Sequence, residues 1–164
     1  MDYQGQISIE FMMIMATIPM MLLLMATFTC ESSELTLAMA AARNGATQGA
    51  SLDSLAVYPD QAFSNYSQKN QRLLLPSRVQ ILGIEYQNQG YNPVYQKTKI
   101  QIRAYASDPT LKTREDKNCM GERINYYIRK SIAGTFQTDH MSNSVFNPAF
   151  SHRYYYTTAD VKWC

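Results

Sequence analysis

The chain has 164 residues and a formal net charge of +2, room for one domain plus an extended segment and too little for two full domains. Charge and composition are uneven: residues 1–57 hold five acids and one base, residues 58–164 fourteen bases and eight acids, seven of ten methionines lie between Met12 and Met39, and eleven of twelve tyrosines lie from Tyr58 onward. Two solvents are implied, lipid or a helical core first and water second, and the scattered bases of the second part argue against a nucleic-acid stripe.

From Phe11 to Cys30 only Thr17, Pro19, Thr27 and Thr29 are not hydrophobic and none is charged, so the segment is long enough to cross a bilayer as a helix. Glu10 stands at its start, and a carboxylate beside hydrocarbon is expensive unless paired. An ordinary secretory signal needs a positively charged start and a short apolar core. Met1-Asp2-Tyr3-Gln4-Gly5 has no Lys or Arg, and the apolar run is too long. A plain anchor explains the length but gives Gln6, Ser8 and Glu10 no role.

Gly5-Gln6-Ile7-Ser8-Ile9-Glu10-Phe11-Met12 resembles the archaeal class III signal peptide of type IV pilin-like precursors, the pattern Gly-Gln-x-Ser-x-Glu. The resemblance implies a leader, residues 1–5, removed by a prepilin peptidase between Gly5 and Gln6, with the apolar segment retained. It implies an assembly role for Gln6, Ser8, Glu10, Phe11 and Pro19, with Glu10 at the fifth mature position. One departure is the missing Lys or Arg before the glycine. The expected organisation is then a filament-core helix over 6–30, its extension over 31–58, and a surface-exposed head over 59–164. The fold class is α+β, a long N-terminal helix with a small β-rich head containing one short helix.

Leu35, Met39, Ala42, Ala46 and Gly49 recur at spacings of four and three, which predicts one continuous, mostly small-residue helix stripe. Pro59 predicts the helix end. A helix over 6–58 would run about 80 Å, more than a small head can bury, so its apolar part needs a partner. Pro19 predicts a kink or local opening, and Asn44-Gly45 and Gly49 are soft points.

Residues 60–77 read as a polar connector in which Asn65-Tyr66-Ser67 matches the glycosylation acceptor pattern. Alternation through Val79, Ile81, Ile84 and Tyr86, then through Lys99–Tyr105, predicts a hairpin with a longish loop over Asn88–Pro93. Residues 110–118 read as loop. Met120, Ile124, Tyr127, Ile128 and Ile132 predict a helix over 119–133, stopped by Gly134, with Arg123, Arg129 and Lys130 on its wet face. Arg153–Trp163 predicts a final strand in which alternate rings of Tyr154-Tyr155-Tyr156 face the core.

Cys119 and Cys164 fall in the part expected outside the cell, where a bridge between them would contribute roughly 4 kcal/mol. No phosphate loop, Cys-x-x-Cys pair, His-Glu-x-x-His or nucleophile elbow is present. His140 and His152 lack ligand spacing, and adjacent Asp139 and His140 do not orient each other as a triad needs. No catalysis, cofactor or metal is expected. The expected partners are copies of the chain itself, the prepilin peptidase and pilus assembly machinery, and the membrane before assembly. The expected place is a cell-surface filament, with adhesion, motility and DNA uptake all open as its task. The alternatives are a membrane-anchored single-pass binding protein and a minor or pseudopilin-like component.

Overall fold

Helix-favouring residues run almost without interruption from Tyr3 to Ser51, and in the computed structural model of the chain they form one helix, α1 (Tyr3–Ser51). The structure describes residues 3–51 and 79–164, with the side chains of 3–8 and 30–32 outside that description. The expected helix end at Pro59 and the connector over 60–77 lie outside the described residues. Two compact units are present, Met1–Thr36 and Leu37–Cys164. The head expected over 59–164 therefore also takes in the last part of α1. The architecture is α+β, a long N-terminal helix followed by a five-stranded mixed sheet and a second α-helix.

In the head unit, β1 (Gln80–Asn92) and β2 (Lys97–Ser107) form the antiparallel hairpin. Its loop is shorter than expected. The strands continue through Asn88–Asn92, and the turn is confined to Pro93–Gln96. A register shift between Asn88 and Tyr91 absorbs the turn-forming residues, helped by Gly90 at φ +86°, whose N–H donates to Asn88 Oδ1 at 2.8 Å.

After β2 comes α2 (Arg114–Phe136), which begins and ends beyond the expected 119–133. The N-cap is Thr113, whose side chain accepts from Asp116 N at 3.1 Å, and Glu115 and Asp116 suit the positive end of the helix dipole. Gly134 does not stop the helix; the left-handed residue is Gln137 at φ 55°. Residues 123–129 are buried without a break, so Arg123 and Arg129 are not on a wet face. Arg123, 2% exposed, donates from Nε to Gly49 O at 2.8 Å. Arg129 donates from Nε to Val145 O at 3.2 Å and also bonds Thr158 Oγ1. Two guanidiniums are thus spent joining elements inside the head, where each charge is offset by fixed acceptors.

The expected final strand is two pieces with Ala159–Val161 between them: β4 (Tyr154–Thr158) and β5 (Lys162–Trp163). Both run parallel to β2, with Ile102 opposite Thr158 and Tyr105 opposite Lys162. Three steps along β2 match four along its neighbour, so one residue is bulged out. Parallel strands need a long crossover, and α2 supplies it. The short β3 (Ala149–Phe150) completes the order β1-β2-β4-β3.

Ile100, Ile102, Ala104 and Ala106 of β2 are all at most 1% exposed and share one face. α2 packs over β3 and β4, where Phe136 stacks on Tyr156 at 6.5 Å between ring centroids. Burial does not alternate along β4 as expected, because Tyr155 and Tyr156 are both buried. Tyr95 and Phe150 cover Tyr155 on the second face, and its hydroxyl accepts from Asn92 Nδ2 at 2.9 Å.

The small-residue stripe of α1 is wider than the expected set: Ala42, Ala46 and Gly49 are buried as expected, Leu35 and Met39 are half-buried, and Ala38, Ala41, Gly45 and Ala50 are buried beside them. Gly45 and Gly49 are contact points, not bends. A Cβ on Gly45 would sit 2.3 Å from Tyr127 O, and one on Gly49 would sit 2.9 Å from Ile124 Cα. Only glycine lets the two helix backbones approach this closely.

Candidate assembly interface

The first unit holds the apolar segment. Its fourteen large hydrophobic side chains from Ile9 to Phe28 are 52–71% exposed, and they occur on every side of the helix. A water-facing helix keeps one polar stripe; this one has none. Burying fourteen such side chains is worth on the order of 20–40 kcal/mol. That exceeds the roughly 5–15 kcal/mol stability of a typical domain, so water is not the medium of this segment.

Its polar groups are already satisfied within the helix. The hydroxyls of Thr17, Thr27 and Thr29 donate to the carbonyls of Ile14, Leu24 and Met25 at 3.2, 2.8 and 2.8 Å. Internal bonding of this kind is what hydrocarbon or a dry helix bundle demands. Twenty residues at 1.5 Å each span about 30 Å, the thickness of a bilayer core. The segment is long and apolar enough to cross a membrane.

Gly5, Gln6 and Ser8 all lie within α1, and their side chains are outside the description. Glu10 is exposed and Phe11 is 59% exposed. Pro19 lies inside an unbroken helix, so the expected opening is not seen. The proline costs one backbone bond, to Met15 O, and its neighbours carry the helix on. Asn65 lies outside the described residues.

The Cys119–Cys164 bridge expected from the sequence is not formed. Both are free thiols, Cys119 half-buried and Cys164 exposed. Their surroundings differ: Cys119 feels Asp116, Glu122 and Arg123 on α2, whereas Cys164 feels Tyr105 on β2 and donates its N–H to Ala106 O at 2.9 Å. Burial pushes the Cys119 thiol up to about 11. Since only thiolate reacts, iodoacetamide at pH 8 is expected to label Cys164 well before Cys119, with Cys119 labelling rising about tenfold per pH unit to pH 10. Peptide mapping by mass spectrometry reads both. Protection of both until a reductant is added would show that the pair is linked after all.

Sequence reasoning missed a polar cleft of about 220 Å³ at the first turns of α2, beside Asp160–Trp163. The overlooked signal was the chain's single tryptophan, Trp163, in a polar neighbourhood. Elsewhere on the head, Tyr105 donates to Glu85 Oε2 at 2.7 Å, and this bond raises its phenol above the usual value. Burial raises Tyr126 and Tyr127 likewise. His140 and His152 are both exposed. No protein family, curated protein or solved structure matches the chain.

Proposed function

We propose that the chain is a structural subunit of an archaeal type IV pilus-like filament, held in the membrane by its apolar helix and then assembled by packing that helix against copies of itself. The observation that carries this reading is a helix apolar on every side for about one bilayer thickness, with one carboxylate, Glu10, at its start. The Gly5–Met12 motif adds the removal of residues 1–5. Assembly exchanges lipid for neighbouring side chains, so the apolar surface is never returned to water. Glu10 pairs with the amine of Gln6 on its own or an adjacent subunit, and a misplaced subunit leaves that charge buried alone.

Mass spectrometry of material sheared from the cell surface is the test. The expected first residue is Gln6, in polymer large enough to sediment. A chain that begins at Met1 and comes out only with detergent supports the second reading, a single-pass anchor displaying a binding head. The polar cleft beside Trp163 is the observation that favours that alternative.

A further inference from the structure

We propose that the cleft between the start of α2 and β5 is a binding site for one uncharged pyranose ring, free or at the end of a glycan. Arg114, Lys117, Glu122, Asn125, Asp160 and Trp163 line it. Two cations face two anions, so the cleft carries no net charge and gives no net attraction to an ion of either sign. Among the described residues none of these four charged side chains forms an ion pair or side-chain hydrogen bond. Arg114 and Lys117 can only donate and the two carboxylates can only accept. A ligand that satisfies all four must do both, and a sugar hydroxyl does.

Asn125 adds a built-in acceptor. It is 4% exposed, and its Nδ2 donates to Ala159 O at 3.1 Å, which fixes the amide orientation because a carbonyl can only accept. Its Oδ1 is buried and has no hydrogen-bond partner. A buried acceptor left this way is rare in a folded chain, and in a residue that lines the cleft it calls for a donor. A pyranose hydroxyl is such a donor, and it reaches this oxygen, which is closed to solvent, when the side chains over it part.

Trp163 supplies the apolar half of the site. β5 pairs with β2 through Tyr105 and Ala106, and Ser107 Oγ donates to Cys164 O at 3.1 Å, so the strand that carries the indole is held on both sides of it. Val161, 9% exposed, sits against Gly121 of α2 and closes the floor. The indole is partly exposed, and a flat aromatic ring suits the C–H side of a sugar while its N–H can donate. At about 220 Å³ the cleft is smaller than the roughly 300–1,000 Å³ of drug-sized sites, which suits one ring and excludes an oligomer lying inside it.

The experiment uses the full chain in a detergent without a sugar headgroup. Trp163 is the only tryptophan, so its fluorescence reports this cleft directly. Glucose, galactose, mannose and their N-acetylamino derivatives are titrated to about 50 mM, with free glycine and lysine as zwitterionic and cationic competitors. At least one neutral pyranose is expected to give a saturable emission change in roughly the millimolar range. Glu122→Gln and Asp160→Asn, both at exposed positions, should each weaken it about tenfold relative to the unsubstituted chain. No saturable change with any sugar overturns the proposal, as does an equal response in the two variants. Saturation by an amino acid at lower concentration than by any pyranose would assign the four charges to a zwitterion. None of these outcomes depends on whether the chain polymerises.

Discussion

Gly45→Ala is expected to lower the melting temperature of the head by about 10 °C, although alanine is the better helix former. The added methyl group would lie 2.3 Å from the backbone oxygen of Tyr127 and 2.8 Å from Ile128 Cα, and neither atom can move without shifting α2. Overpacking against backbone falls at the upper end of the usual range, about 3 kcal/mol. The control has the opposite sign. At Gly134 nothing lies within 4 Å of a built Cβ and the backbone is helical, so Gly134→Ala should stabilise by about 1 kcal/mol, roughly 3 °C. Thermal melts followed by near-UV circular dichroism on the detergent-held protein decide it. Two alanines that behave alike would mean that α1 and α2 are not in backbone contact.

Filaments sheared from cells carrying Glu10→Gln should fall about a hundredfold in yield, with the processed subunit still present in the membrane. Glutamine keeps the size of the side chain and its hydrogen bonding while removing the charge. In the proposed filament the amine of Gln6 would then enter a low-dielectric core without its partner, at a cost of several kcal/mol. About 3 kcal/mol corresponds to the hundredfold loss. In that proposal the pair would act on register more than on raw affinity, since a buried ion pair gains little over a fully apolar pairing. Unchanged yield on quantitative electron microscopy and immunoblotting would remove Glu10 from the assembly step.

The apolar segment was legible because length and the lack of charge are composition signals, and no tertiary contact is needed to read them. The hairpin was legible for a similar reason, with Ile100, Ile102, Ala104 and Ala106 alternating against polar neighbours. Its loop was misread because the second part of β1 is exposed at almost every position, so Asn88, Gln89 and Gly90 carry no burial pattern to contradict their turn preference. The start of α2 was written as Thr113-x-x-Asp116, a capping signature outweighed by the charges that follow it. Arg123 and Arg129 were misplaced because helical periodicity assumes a wet face, whereas this helix is enclosed from Arg123 to Arg129. The cleft was invisible for the commonest reason: Glu122 and Asp160 are brought to one cleft by the crossover, and no spacing in the sequence encodes that meeting.

The crossover also orders events during synthesis. β2 is the central strand, yet its parallel neighbours, β4 and β5, are made some fifty residues later, so the sheet cannot close until Trp163 has emerged. At roughly 5–20 residues per second, the apolar part of α1 is outside the ribosome many seconds before then. The apolar helix is therefore complete while everything after it is still an open chain. An apolar segment that must find a medium other than water thus has to do so before the head has any shape.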